Sequence, residues 1–448
     1  MRGGPALCVH PPLPGPVRDG GIYSVSMSSF SVLVGKLVRG ASRLRGGGSA
    51  LPGLVVEKID PNFIRRTLST LPLGVAVVSG TNGKTTTTKM VVELLEGQGL
   101  KVFTNRTGSN FTRGVAAALL GEVNLRGRLD ADIAVLELDE AHAVHFVKLI
   151  QPRYALLLNV LRDQLDRFGE IDKTTRLLEQ IAKATTETVV LNREDPRVAS
   201  IADSLTGPKV AYFGLDASLR STFPNDDEMR GSRSEAIAAA QPADVVLTRV
   251  AETEADFLVD GTPTTTGLKL RGVYNIFNAA AALTFARQIL GAKADRTALF
   301  ESLSNVEPAF GRGESLTVNG APLELVLVKN PSGFRLGLKS FAAHGYATMI
   351  AINDNYADGR DMSWLWDVDF ETLSGGVDMV TGVRAYDMAL RLRYDDVPVR
   401  EVIPDIPDAL AKFIAGAGTQ PMRIFCTYTA MLAVRRELSK ITKVEVVS

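Results

Sequence analysis

The chemistry most plainly written into this chain lies in residues 79–87, Ser79-Gly80-Thr81-Asn82-Gly83-Lys84-Thr85-Thr86-Thr87. They follow the apolar run Gly74-Val75-Ala76-Val77-Val78, which reads as a buried strand. A helix-period segment with Met90, Val91, Leu94 and Leu95 on one side comes next. In the order strand, loop, helix, the amides of Gly80, Thr81, Asn82, Gly83 and the first helical turn, Thr86 included, converge on one point. There they and the helix dipole favour a phosphate. Lys84 reaches the outer phosphates, and the Thr85 hydroxyl can hold Mg²⁺. The loop is shorter than the general P-loop pattern, since Val78 stands where that pattern wants its first glycine. A bare Gly-Lys-Thr can also open an ordinary helix capped by Thr81 or Asn82. Two glycines, a lysine and a threonine run behind a strand favour the nucleotide site.

Carboxylates and amides further along can serve the same loop. The apolar part of the run 131–140 ends in Glu137, Asp139 and Glu140, and the carboxyl edge of an open α/β sheet is where ligands bind. Glu137 is the natural Mg²⁺ ligand, because the ion prefers oxygen and takes only one or two carboxylates from protein. The plain alternative is a solvated strand end. A buried strand over 154–160 runs into the charged stretch Arg162-Asp163-Gln164-Leu165-Asp166-Arg167. Asn275 and Asn278 open an alanine-rich helix over 279–290, where two amides can cap the helix or face a base or a phosphate. Between Ile352 and Glu371, both tryptophans, Trp364 and Trp366, lie among Asp354, Asp358, Asp361 and Asp367. Aromatic residues with charged neighbours on a loop are more typical of a site or an interface than of a core flap.

The scaffold needed to position these residues follows from the pattern around them. From residue 51 to 312, short apolar runs alternate with helical segments, the signature of an α/β domain with a mostly parallel sheet. A polar, small-residue stretch at 217–243 reads as an insertion or mobile loop. Phe310-Gly311-Arg312-Gly313-Glu314 looks like a hinge. Residues 313–448 then form a second, Rossmann-like α/β unit, with strands expected over 323–328, 347–352, 377–383, 399–403 and 422–427. A chain of 448 residues is long enough for more than one such core. Its 50 basic and 50 acidic residues cancel, so no global field recruits nucleic acid or a membrane surface. The two cysteines, Cys8 and Cys426, support neither a disulfide framework nor a zinc site, which fits a reducing cytoplasm. Residues 1–50 form a tail. Its first part, to residue 26, reads as disordered or as an overlong start ahead of Met27. The basic amphipathic segment 28–45 can lie on an anionic membrane surface or pack on its own domain.

Taken in order, these motifs resemble the Mur ligase superfamily over residues 50–448. Gly-Thr-Asn-Gly-Lys-Thr-Thr is similar to the ATP loop of Mur ligases and folylpolyglutamate synthases, which join an amine to a carboxylate. Asn159-Val160-Leu161-Arg162-Asp163-Gln164-Leu165-Asp166 resembles the family's Asn-x-x-x-Asp-His-Leu-Asp. Gln164 stands where the family's histidine helps bind a second metal, leaving a second Mg²⁺ held in that way open. The resemblance implies ATP contacts for Asn192 and Asp195, in the turn near adenine. It implies them also for Asn275 and Asn278, in Tyr274-Asn275-x-x-Asn278, and for Arg312, in Gly311-Arg312-x-Glu314. Lys329-Asn330-Pro331 takes the place of the family's third-domain entry. No counterpart of the uridine-binding domain is present, so addition of an amino acid to a UDP-linked precursor is not expected.

The segment 352–371 resembles the MurT family, whose members work with GatD, a glutamine amidotransferase. The resemblance implies a ligase of peptidoglycan biosynthesis that uses ATP and Mg²⁺, with Lys84 at the reacting phosphate. It would amidate the D-glutamate α-carboxylate of lipid II through an acyl phosphate, at the cytoplasmic face of the membrane, with ammonia from a GatD-like partner. It further implies an aspartate that orients the partner's catalytic histidine, with Asp358 and Asp361 the candidates and Asp354 and Asp367 behind them. Many MurT proteins carry a four-cysteine zinc ribbon, but 217–243 contains no cysteine, so no zinc is expected. Two other readings remain. One is a stand-alone amino-acid ligase of the folylpolyglutamate type, and the other a P-loop module that uses ATP only to change shape.

Overall fold

β1 (Val75–Ser79) is buried along its whole length, and a five-residue run with no polar side until its last position demands cover on both faces. It pairs in parallel with β3 (Ile133–Glu137) on one side and β4 (Tyr154–Leu157) on the other. The computed structural model describes residues 21–44, 50–105, 111–161, 171–223, 242–251, 254–269, 273–307, 312–341 and 345–444. With β2 (Val102–Thr104), β5 (Thr188–Asn192), β6 (Lys209–Leu215), β7 (Val245–Val250), β8 (Glu254–Val259) and β9 (Thr262–Gly267), the strand order is β2-β3-β1-β4-β5-β6-β7-β8-β9. Connections from β1 and β4 leave in opposite directions, so the crevice beyond their carboxyl ends is the switch point at which such sheets bind ligands. The sheet divides its side chains between two cores. Ala76 and Val78 face Met90, Leu94 and the helix Val273–Leu290. Val75 and Val77 face the side of Val115, Phe146 and Ile181.

The β7–β9 end is antiparallel and half buried. Asp260 and Gly261, with φ of 50° and 72°, form the two-residue connection between β8 and β9, and Asp-Gly is the strongest short-range hairpin signal.

The helix Gly21–Leu44 begins six residues before Met27, which corrects the expectation of disorder to residue 26. No proline interrupts 21–44, so the helix continues upstream from the part that packs on Ala50–Ile59 and Thr112–Glu122. Among the described residues, no helix is long and apolar enough to cross a membrane.

A second sheet has the order β10-β11-β14-β12-β13, built from β10 (Arg312–Val318), β11 (Ala321–Leu327), β12 (Ala347–Ala351), β13 (Met379–Thr381) and β14 (Met422–Cys426). β10 is its antiparallel edge and the other pairings are parallel. The strand expected over 399–403 is reduced to single bridges from Val399 and Val402 to the β13 side, because Pro398 and Pro404 bracket it and neither can donate to a ladder. Glu324 and Arg423 are direct neighbours on β11 and β14, and their side chains form a buried ion pair (2.7 Å) with the guanidinium over the Tyr346 ring. Removing one partner strands the other charge, so Arg423→Met is expected to cost about 3–5 kcal/mol. The double change Glu324→Leu, Arg423→Met should recover most of that loss. Urea unfolding of both variants is the check.

Candidate functional site

The nucleotide loop is shaped by the end of β4. Thr81 N donates to Asn159 O (3.0 Å), Asn82 N donates to Asn159 Oδ1 (2.8 Å), and Asn159 Nδ2 returns a bond to Asn82 O (3.0 Å). Leu161 N donates to Thr81 Oγ1 (3.1 Å), which donates to Leu161 O (3.2 Å). Two glycines allow this approach. Gly80 has φ of 133°, and a Cβ there would lie 3.0 Å from Asn159 N. Gly83 has φ of 86°, and a Cβ there would lie 2.6 Å from Asn278 Nδ2. Asn278 is thus seated against the loop from the helix Val273–Leu290, with Asn275 half-buried one turn earlier.

Lys84 opens the helix Lys84–Glu96 and is buried. Its Nζ donates to Gly80 O (2.5 Å) and Thr81 O (3.2 Å) and lies 3.6 Å from Glu140 Oε2. Thr85 Oγ1 donates to Glu137 Oε1 (2.8 Å). Asn105 fixes the Glu137 backbone by two bonds, donating to its O (2.8 Å) and accepting from its N (3.0 Å). The Thr85 hydroxyl and Glu137 carboxylate therefore offer two hard oxygen donors at one point, a set that fits Mg²⁺ with its remaining positions left to water and phosphate. Among the described residues, no group of three or more His, Cys, Asp or Glu side chains gathers. Thr86 is buried behind the loop.

Asn192 and Asp195 lie one strand further out and bond the backbone. Asn192 Nδ2 donates to Leu158 O (2.8 Å). Asp195 accepts from Val160 N (2.7 Å), Arg197 N (3.0 Å) and Val198 N (3.2 Å). Burial pushes its carboxyl up to about 6 despite those amides. Both residues thus hold the β4 end on which the loop is built. Arg312 is the first residue of β10, and its side chain lies outside the described residues, as do Arg162–Gly169, the hinge residues Phe310 and Gly311, and most of the polar stretch, 224–241.

The second sheet reaches this loop through Asn330, which is buried just before the helix Pro331–Phe341. Its amide exchanges bonds with that of Asn82 (3.3 and 3.4 Å) and accepts from Gly333 N (2.7 Å). Sequence reasoning did not assign Asn330, Asn105 or Asn159 to the site, although each lies in a turn after a core strand.

The 352–371 loop separates its aspartates. Asp358 is buried and accepts from Asn355 N (3.1 Å), Thr429 N (2.7 Å) and Thr429 Oγ1 (2.5 Å), tying the loop to the helix Tyr428–Leu438. Asp361 is half-exposed, and hydrogen bonds from Ser363 hold its carboxyl below the usual range. Asp354 pairs with Arg384 (2.8 Å), and Asp367 is exposed. Trp364 is buried under Phe334, whereas Trp366 is exposed and packs edge-on against Tyr394.

Comparison with known proteins matches residues 78–286 to the Mur ligase middle domain and 327–431 to the MurT ligase C-terminal domain. A relative from Streptococcus pneumoniae, the lipid II isoglutaminyl synthase (glutamine-hydrolyzing) subunit MurT, is 32% identical over 89% of this chain and 94% of its own length. The chain belongs to the MurT family. A second MurT subunit, from Staphylococcus aureus, is 28% identical over 85% of this chain and 91% of its own. The fold is that of Mur ligases. MurF from Acinetobacter baumannii superposes with a TM-score of 0.66 at 18% identity, covering 88% of this chain and 80% of that one. MurF from Thermotoga maritima, solved in complex with ADP, gives 0.63 at 17%, covering 85% and 84%. The MurT match spans both Asn330 and the aspartate loop.

Lys84→Ala should lower ATP turnover roughly 10²–10³-fold, and because it also takes this cation away from buried Glu140 it should lower the unfolding temperature as well, so turnover is measured well below that temperature. Coupled measurement of ADP release is the check, and unchanged turnover would remove Lys84 from the site.

Proposed function

We propose that this protein uses ATP to activate the α-carboxylate of the D-glutamate in lipid II, a lipid-linked peptidoglycan precursor. Ammonia from a separate GatD-like glutaminase subunit then converts it to the amide of D-isoglutamine. The observation that carries this reading is the similarity to glutamine-hydrolysing lipid II isoglutaminyl synthase subunits along nearly their whole length. A carboxylate does not react with ammonia at neutral pH, because the leaving group would be oxide. In this reading its oxygen attacks the γ-phosphorus in line and ADP leaves, while Lys84 and the loop amides offset charge on the phosphoryl oxygens. Mg²⁺, held by Thr85 and Glu137, would supply further neutralisation of the phosphates. Ammonia then forms the C–N bond of the amide as phosphate leaves the acyl carbon and a proton leaves nitrogen. The Asn82–Asn330 contact supports closure of the second sheet domain on the loop, which excludes water from the acyl phosphate. Asn192, Asp195, Asn275, Asn278 and Arg312 are assigned to the nucleotide side of the site, the first two through the loop that they brace.

The partner reading is supported by the surface beside the aspartate loop. Val383, Tyr386, Leu390 and Tyr394 are exposed, the last three at one-turn spacing on the helix Ala385–Tyr394, and Trp366 packs edge-on against Tyr394. Exposed tyrosine and tryptophan around one arginine-bearing helix are the composition of a protein interface. Arg384, at the start of that helix, grips Asp354, so surface and loop adjoin. Asp358 anchors the loop, and Asp361 is the residue assigned to the partner's histidine, in the orienting role of a triad's third member.

Amidation of lipid II, by the protein co-purified with a GatD-like glutaminase, tests the reading with glutamine and with ammonia as nitrogen source. Both should support product; no product from either would overturn it. Asp361→Asn is expected to lower the glutamine-dependent rate roughly 10²–10⁴-fold and leave the ammonia-dependent rate unchanged. Tyr386→Ser with Leu390→Ser should have the same selectivity by weakening the partner's binding, read as loss of co-elution in gel filtration.

A further inference from the structure

The helix Gly21–Leu44 is apolar on two sides. One is packed: Ser31 Oγ donates to Asp60 Oδ2 (3.0 Å), Lys36 Nζ donates to Val123 O (2.7 Å), and a Cβ on Gly35 would lie 2.5 Å from Val56. On the opposite side Phe30, Leu33 and Leu37, spaced to share one helix face, are 61%, 49% and 65% exposed. Leu125, two residues beyond the carbonyl that Lys36 holds, is 64% exposed. Stable folding does not call for three large apolar side chains on the solvent face of one helix, and such a patch marks an interaction surface.

Charge indicates what covers it. No acidic residue occurs between Asp19 and Glu57, whereas Lys36, Arg39, Arg43 and Arg45 do, in a chain of 50 basic and 50 acidic residues; Lys36 and Arg39 are half-buried, Lys36 bonded to Val123 O and Arg39 lying beside Gly121. Exposed Arg126 and Arg128 follow Leu125, and the acids near them in sequence are Glu122, on the adjoining helix end, and Asp130, which pairs with Lys101. Leucine and phenylalanine with the exposed Arg126 and Arg128 near them match an anionic lipid interface. The tyrosine and tryptophan of the second sheet domain make a different kind of surface. We infer that the Phe30–Leu33–Leu37 face rests on an anionic lipid bilayer, an inference that builds on the reading of the substrate as lipid-linked. The helix lies in the plane of the interface, its inner face still packed on the domain.

Co-sedimentation of the full-length chain with vesicles of phosphatidylcholine plus phosphatidylglycerol, and of phosphatidylcholine alone, tests this. Binding should require the anionic lipid and fall with added salt. Leu33→Ser with Leu37→Ser should weaken it roughly tenfold or more, and Arg126→Glu with Arg128→Glu by at least about fivefold per charge. These side chains are exposed, so thermal unfolding should stay unchanged. Wild-type protein that ignores anionic vesicles, or serine variants that bind like wild type, would overturn the inference. So would light scattering in which the serine variant turns a dimer into a monomer, since a second copy then covers the face, or vesicle binding that appears only once residues 1–20 are deleted, since the chain's own start then covers it. Amidation of detergent-solubilised lipid II keeps the two readings apart. Full amidation without vesicle binding sinks only the lipid face, and vesicle binding without amidation sinks only the proposed reaction.

Discussion

The rest of the site depends on the clasp between Asn159, at the end of β4, and the backbone of residues 81 and 82. An asparagine side chain that both accepts from an amide and donates to the carbonyl of the same residue acts as an extra strand partner. It fixes the loop with its amides converging before any ligand arrives. Electrostatic stabilisation of a phosphoryl group is strong only when the donors need not reorganise. The clasp requires close backbone approach, and that in turn requires Gly80 and Gly83, the positions at which a Cβ would strike Asn159 and Asn278. Asn192 and Asp195 make the same point one layer back. Their polar atoms hold the β4 segment that carries Asn159, so they reach the loop through backbone geometry.

Much of this architecture was legible in the sequence because the determinants are local. The apolar run 74–78 with its glycine loop, the carboxylate at Glu137 and the alternation of strand and helix each depend on residues near one another. What was not legible depends on contacts across the chain. The expected strand at 399–403 failed on flanking prolines that the apolar pattern outweighed. The β8–β9 hairpin carried its Asp-Gly signal openly, but an alternating reading of βα units left no room for it. Asn159 and Asn330 fall within family motifs, but like Asn105 they show no partner until the fold brings them to the loop, to Asn82 and to Glu137.

The aspartates of the 352–371 loop show the same limit from the other side. Sequence gave Asp358 and Asp361 equal standing, since both sit in a loop after a core strand. Burial separates them. A carboxylate that accepts three bonds from its own chain, two of them from Thr429, is committed to holding the loop, whereas Asp361 keeps part of its surface exposed. The buried Trp364 and exposed Trp366, two residues apart, divide in the same way between core and surface.

Three surfaces are thereby distributed over two sheets according to what each must exclude. The nucleotide loop lies between the sheets, where Asn330 meets Asn82, so that the contact that joins the two domains also borders the place where an activated carboxylate would meet water. The aromatic helix face and Asp361 lie on the second sheet domain alone. A partner can dock there without prising the domains apart. The leucine and phenylalanine face lies on the first domain, beyond the helices that cover β1. In the proposed reading, lipid contact, phosphoryl chemistry and ammonia supply would fall on separate elements, each free to meet its own partner. The asparagine pair is a modest part of the interdomain contact, about 1 kcal/mol for each hydrogen bond, beside the packing of the helix Val273–Leu290 on Pro331–Phe341.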